Sequence, residues 1–264
     1  MEKPCLIDTS HWIQLPGFAL VQPALERITG IDGINEIYRR VRRDGMGPAE
    51  FCAGALADLR LQVAFECRET PPPGTPAIIL ANHPTGMIES LMLILLLDSL
   101  RPGAWRLLSN RFVASTPEFG SHAIPLDPFG VDPDPHLNLR GLGTAVRWLK
   151  GGGCLGAFPA GRVAPRNGSG GLPRDAPWTP HLVRLARLSG ARIFLASIPL
   201  ASGALLRALP PSLPKLRALF LARETLRRRS ETRTLVRLTE APDLSHLPAA
   251  EATLKLHALC HENL

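Results

Sequence analysis

Aromatic side chains make up only 5% of this 264-residue chain, with a single tyrosine. That scarcity argues against the stacking platforms on which single-stranded nucleic acid is held. Cysteine occurs five times, but Cys5, Cys52, Cys67, Cys154 and Cys260 are widely spaced and form no C-x-x-C. An odd count at such spacings reads as reduced thiols in a cytosolic protein, without a disulfide framework. His257, Cys260 and His261 would share a helix face, yet such a trio at a chain end is far more often solvated surface than a metal site. No long apolar run stands behind the one N-terminal lysine, so no secretory signal is expected. The most apolar run, Leu91 to Leu97, is seven residues long and bounded by Glu89 and Asp98. It is too short to cross about 30 Å of hydrocarbon as a helix. The chain is therefore expected to lie on a membrane rather than span one. The phosphate loop G-x-x-x-x-G-K, the nucleophile elbow G-x-S-x-G and the zinc motif H-E-x-x-H are all missing. Gly141-Leu142-Gly143 is too short to serve as a dinucleotide fingerprint.

What is present is an apolar-leaning composition, 45% hydrophobic, with a mean hydropathy of +0.07. A chain of this size can bury a substantial core. The net charge is +7 and the isoelectric point about 9.7, which suits nucleic acid, an anionic membrane or an acidic substrate. The charge is concentrated: from Arg207 to Glu240 nine basic residues stand against three acids, +6 of the total +7. Leucines interleave with it, as in a helix that lies in a membrane interface, although Pro210, Pro211 and Pro214 would interrupt such a helix. The same positions also fit a solvated face over ordinary core.

The apolar spacing of Leu25, Ile28, Ile31, Ile34, Ile37 and Val41 predicts a helix over Ala24 to Val41, weakened by Gly30 and Gly33. Ala49 to Phe65 is a second helical stretch, and Pro71, Pro72, Pro73, Gly74 and Pro76 then break the chain. Residues 1–70 thus read as a helical segment packed on a core formed by residues 71–264. Within that core, Ala77 to Ala81 reads as a buried strand, Met87 to Leu100 as a buried helix, and Trp105 to Leu108 and Ser121 to Leu126 as strands. Leu142 to Leu149 follows as a helix, Cys154 to Phe158 as a strand, Arg162 to Pro177 as a loop, Pro180 to Leu188 as a helix and Arg192 to Pro199 as a strand. Strands alternating with helices predict a single α/β domain, with a mixed, mostly parallel sheet flanked by helices.

The sharpest chemical pattern is Asn82-His83-Pro84-Thr85-Gly86-Met87-Ile88-Glu89. A buried strand ends in a histidine, a Pro/Gly turn follows, and a carboxylate stands in the first turn of the next helix. Pro84 keeps His83 out of helical geometry, and the helix dipole favours Glu89 near the helix start. If the turn folds back, the carboxylate fixes one imidazole nitrogen and leaves the other as a general base. Spacing alone fits a histidine and a glutamate that never meet equally well. The second pattern is Gly156-Ala157-Phe158-Pro159-Ala160-Gly161-Arg162, a strand ending in a tight turn. Arg162 or Arg166 could hold a phosphate or carboxylate through paired hydrogen bonds. Taken alone, an ordinary surface turn with solvated arginines describes it better.

Together these residues resemble the glycerolipid and lysophospholipid acyltransferase family, which carries N-H-x4-D and F-P-E-G-T-R motifs. The resemblance is nearer to a bacterial branch often labelled putative hemolysin, which includes ornithine-lipid acyltransferases and shows N-H-P-x-G-x-x-D and F-P-A-G-E. Leu108-Ser109-Asn110-Arg111-Phe112 and Ile124-Pro125-Leu126-Asp127-Pro128-Phe129 resemble that branch's middle block. Trp178 with the following helix, Leu213 to Glu224, and residues 16–39 resemble further stretches. Two positions depart: Glu89 replaces the family's Asp, and Arg162 replaces the branch's Glu. An arginine suits an anionic head group where a glutamate suits a cationic one.

The resemblance implies acyl transfer from an acyl carrier protein or coenzyme A thioester to a lysolipid hydroxyl. His83 would be the base and Glu89 its orienting carboxylate. Substrate contacts fall on Asn82, Thr85, Gly86, Asn110, Arg111, Phe158, Pro159, Gly161, Arg162 and Arg166. No metal or cofactor is implied, since the thioester is already activated. The implied setting is peripheral, on the cytoplasmic face of a bacterial inner membrane with anionic lipid, and without nucleic acid. The departures keep a catalytically impaired lipid-binding homologue as the alternative. A thioesterase-like hydrolase and a nucleic-acid binder are further rivals.

Overall fold

Gly30 divides the apolar N-terminal stretch into two helices, α1 (Phe18–Thr29) and α2 (Ile31–Val41), where the periodicity predicts one. The computed structural model describes residues 5–11, 16–127, 135–164, 166–167, 172–201, 209, 214–228 and 233–264. Gly30 has φ +81°, and a β-carbon on it would lie 2.8 Å from the Cα of Arg223. It therefore both turns the chain and admits a neighbouring helix backbone.

Helix α3 (Pro48–Asp58) also stops short of the predicted Phe65. Arg60 takes φ +56°, and Val63–Cys67 forms strand β1 instead. Pairing with a distant strand decides this, since Val63 and Phe65 suit a pleated surface and the segment gains a ladder there. The segment 1–70 is thus helical only up to its last strand, which belongs to the sheet.

The chain continues through β2 (Ala77–Ala81), α4 (Ile88–Leu100), β3 (Trp105–Ser109), α5 (Arg111–Ser115), β4 (Ala123–Pro125), α6 (Pro135–Lys150) and β5 (Cys154–Ala157). The loop predicted after β5 holds a two-stranded antiparallel ribbon, β6 (Arg166–Asn167) and β7 (Pro173–Arg174). Then come α7 (His181–Ser189), β8 (Arg192–Ser197), α8 (Pro214–Arg227), β9 (Thr234–Glu240) and α9 (Ala249–Glu262).

Seven strands form one sheet in the order β1-β9-β8-β2-β5-β3-β4. From β8 to β4 every neighbour is parallel. β9 runs antiparallel to β8, and β1 follows β9 in parallel. The result is the mixed, mostly parallel sheet with helical flanks that the alternation of elements predicts. Both faces are covered, which explains why Ala77-Ile78-Ile79-Leu80-Ala81 is apolar at every position. Ala77, Ile79 and Ala81 pack in one layer with α2, α3 and α4. Ile78 and Leu80 pack in the other with α6, α7 and α9. Helix α4 is apolar around most of its circumference because it is almost wholly buried, with Met92, Leu93, Ile94, Leu96 and Leu97 all enclosed.

The basic stretch does not form one solvated helix face. Arg217 and Arg228 are buried. Arg217 donates to the carbonyls of Leu209 and Ala164, and Arg228 lies 3.6 Å from Glu224. Arg223 donates to the Ile28 carbonyl. Arg237 stands on β9 and donates to the Asn263 carbonyl. Arg227 and Arg233 are exposed. Arg207, Arg229, Pro210, Pro211 and Leu213 lie outside the described residues, as do Pro128 and Phe129 of the middle block. Among the described residues no helix is long and apolar enough to cross a membrane.

Candidate active site

Strands β2 and β5 are neighbours whose chains leave in opposite directions. β2 leads through α4 toward β3, and β5 leads through α7 toward β8. Their helices α4 and α7 cover opposite faces of the sheet, and in parallel sheets ligands bind outside the carboxyl ends of the strands at such a switch. Asn82-His83 follows β2 at this point and Phe158-Pro159 follows β5. Asn110 and Arg111 follow β3 at the same edge.

Asn82 is fully buried and latches the strand ends together. Its amide donates to the Ile198 carbonyl at 3.0 Å, and its oxygen accepts the Ile198 N–H at 2.8 Å. The next residue, His83, has both backbone groups held from the segment that follows β5. Its N–H donates to Asp175 Oδ1 at 3.0 Å, and its carbonyl accepts the Ala164 N–H at 2.9 Å. Its ring stacks on Phe158, with centroids 4.3 Å apart and planes 24° from parallel.

The turn after Pro84 folds back, so Glu89 reaches His83. Nδ1 lies 2.9 Å from Glu89 Oε1, with the oxygen off the axis along which a ring proton would point. Glu89 is fully buried. Its Oε1 also accepts the Thr85 N–H at 2.7 Å and the Gly86 N–H, and its Oε2 accepts the Thr85 hydroxyl. A carboxylate in the first helical turn thus satisfies N–H groups of the turn just before the helix. Burial pushes the Glu89 carboxyl up. The His83 imidazole, the Thr85 hydroxyl and the Gly86 N–H together outweigh that and hold it below the usual carboxylate range. With Nδ1 2.9 Å from an ionised carboxylate, Nε2 is the nitrogen left for a reacting group. The side chain keeps 14% of its surface exposed.

Gly86 makes the fold-back possible. It has φ +95°, and a β-carbon there would meet Val163 and Leu221 methyls at 2.8 and 2.9 Å. Thr85 is buried. Phe158, Pro159, Ala160 and Gly161 make the turn after β5, closed by the Gly161 N–H donating to the Phe158 carbonyl at 2.9 Å. Arg162 stands exposed directly after it. Arg166 lies in β6. Asn110 uses its side chain as the N-cap of α5, accepting the Val113 N–H at 3.0 Å, and Arg111 is exposed at the start of that helix. The structure therefore brings together His83, Glu89, Thr85, Gly86 and Phe158. It sets Asn110, Arg111 and Arg162 around the same sheet edge.

One residue of this constellation escapes the motif reading. Asp175 is buried, accepting from His83 through Oδ1 and from Trp178 Nε1 at 2.9 Å through Oδ2. Burial pushes its carboxyl up, against the opposing pull of these donors and of the His261 and His83 imidazoles. Behind it, His261 Nε2 accepts the Asp175 N–H at 3.1 Å, and His257 Nε2 lies 3.3 Å from the Asp175 carbonyl. The His257–His261 face thus serves as internal support. Burial lowers the His257 imidazole to about 4. No group of histidine, cysteine and acidic side chains arranged for a metal ion occurs among the described residues. The only sequence signal for Asp175 is its i, i+3 spacing to Trp178.

No family model matches the sequence, and no curated protein sequence does. The structure resembles the crystal structure of the 1-acyl-sn-glycerophosphate (LPA) acyltransferase PlsC from Thermotoga maritima. The TM-score is 0.51 at 15% sequence identity, covering 97% of this chain and 90% of that one. The chain therefore shares its fold with that protein along nearly its whole length.

Proposed function

We propose that this protein transfers a fatty acyl group from an acyl carrier protein or coenzyme A thioester to the hydroxyl of a lysolipid. The observation that carries this reading is the His83–Glu89 pair at the carboxyl edge between β2 and β5. The acceptor hydroxyl gives its proton to His83 Nε2 as its oxygen attacks the thioester carbonyl. Glu89 stabilises the imidazolium, and positioned proton transfer of this kind contributes about 10²–10⁴-fold. The tetrahedral intermediate collapses by breaking its carbon–sulfur bond, and the thiolate takes the proton back from His83. The products are an ester and a free thiol. No metal or cofactor enters this scheme.

Arg162, with Arg111 at the same edge, suits an anionic head group on the acceptor. The fold neighbour's 1-acyl-sn-glycerophosphate is a substrate of that kind. Thr85 and Gly86 act through Glu89. Phe158, Pro159 and Gly161 shape the wall against the ring, and Asn82 and Asn110 fix the strand ends. Helix α1 supports contact with an anionic membrane surface. It exposes Leu20, Val21 and Ile28 to 88%, 57% and 55% beside the exposed Arg27. It packs against α8, which carries Arg227. Basic residues near such a surface contribute about 1 kcal/mol each.

The test is product analysis. The protein is given a labelled long-chain acyl carrier thioester or acyl coenzyme A with a panel of lysolipids, anionic and cationic. Acylated anionic lysolipid is the expected product. Free fatty acid alone would indicate a hydrolase, and binding without turnover would leave the lipid-binding reading.

A further inference from the structure

We infer that Asp175 is a positioning residue that holds the main chain of His83 in register with Glu89, an inference that rests on the acyl-transfer reading of the site. His83 follows β2 directly, and its ring direction depends on the backbone at that point. That backbone is gripped on one side by Asp175 and on the other by Ala164. Asp175 is itself locked from three directions. Its second oxygen accepts from Trp178, its N–H donates to His261, and its carbonyl faces His257. The His261 contacts require one tautomer: Nε2 accepts from Asp175 while Nδ1–H donates to the His257 carbonyl at 2.7 Å. A chain of contacts therefore runs from α9 through Asp175 to the proposed base.

The chemistry of the site calls for a carboxylate. Two donors converge on one side chain, the His83 N–H and the Trp178 indole N–H, and only a carboxylate offers them an acceptor oxygen each. An asparagine would answer one and turn its amide donor on the other. Ionised, a buried carboxylate costs the fold stability, in keeping with its raised pKa. The structure keeps it at the residue that bears the proposed base.

The decisive comparison uses wild type, Asp175→Asn, and Asp175→Asn combined with Trp178→Phe. In the single variant the amide oxygen cannot serve both donors, and the His83 main chain shifts. A misplacement of about 1 Å at a reacting centre costs about 100-fold, so kcat is expected to fall about 10- to 100-fold with KM within about threefold of wild type. Removing the indole donor lets the amide oxygen face His83, so the double variant is expected to recover most of that loss. A residue needed only for its charge or for general folding would show no such rescue. Thermal unfolding of each variant confirms that it is folded. Unchanged kcat in a folded Asp175→Asn, a loss carried by KM alone, or no rescue would overturn the inference.

Hydrogen exchange at the His83 amide gives a readout that needs no activity. Exchange is expected to be at least about tenfold faster in Asp175→Asn and slow again in the double variant. If wild type transfers no acyl group, the acyl-transfer reading fails while this exchange result still decides the clamp. Unchanged exchange would sink the clamp even in an active enzyme.

Discussion

His83 Nδ1 lies 2.9 Å from Glu89 Oε1, in a carboxylate that is fully buried and receives three further donors from Thr85 and Gly86. The turn residues thus hold the carboxylate, and the carboxylate addresses the ring. Glutamate is long enough to do both from the first turn of α4. Glu89→Asp, which restores the residue of the resembling family, withdraws the carboxylate by one methylene. It is expected to lower kcat about tenfold or more, consistent with the weight of positioned acid–base groups. Steady-state kinetics of the variant checks this, and wild-type kcat in Glu89→Asp would show that the reach to His83 is not what Glu89 supplies.

The pH dependence of stability follows from the same carboxylate. The folded state holds Glu89 below its ordinary value, so its ionised form stabilises the fold above the unfolded pKa of about 4.3. That contribution is lost as pH falls through the folded pKa. Glu89→Gln is therefore expected to be less stable than wild type at pH 7, with the gap narrowing below about pH 4. Urea titrations at several pH values measure the gap. A gap that stays constant from neutral to acid pH would contradict the assignment.

Gly86→Ala tests the turn without touching a charged group. The positive φ strains any residue with a β-carbon, and the Val163 and Leu221 methyls within 3 Å would have to shift to admit one. A strained backbone position costs about 1–3 kcal/mol. Stability is expected to drop by that amount, and activity to fall with it as the path from Thr85 to Glu89 shifts. A fully stable and active variant would mean that the turn has another conformation open to it.

Thiol accessibility separates the cysteines. Burial pushes the Cys154 and Cys260 thiols up to about 12 and raises that of Cys52 as well. A disulfide reagent is expected to label Cys5 and Cys67 in the native protein, and the three buried thiols only after denaturation. Acyl transfer should survive the native labelling. Loss of activity on native labelling would implicate a cysteine in the reaction.

Local pattern was legible in the sequence, and long-range pairing was not. The buried strand Ala77–Ala81, the turn at Pro84 to Gly86 and the helix beyond it all follow from residues next to one another, so His83 and Glu89 could be named before their contact was seen. The helical pattern runs into β1 as far as Phe65 because the ladder partner, β9, lies over 160 residues later and has no local signature. The basic stretch fits a solvated face because no sequence period shows that Arg217 and Arg228 turn inward to carbonyls and to Glu224. Asp175 carries no such signature for the same reason: its partner His83 is 92 residues away.

The most direct test of the account compares wild type and His83→Ala for acyl transfer from a long-chain acyl thioester to an anionic lysolipid. The account predicts that wild type makes the acylated lipid and that His83→Ala, folded to the same thermal midpoint, loses about 10²-fold or more of kcat. Equal transfer by both proteins, or none by folded wild type with either thioester, would contradict it.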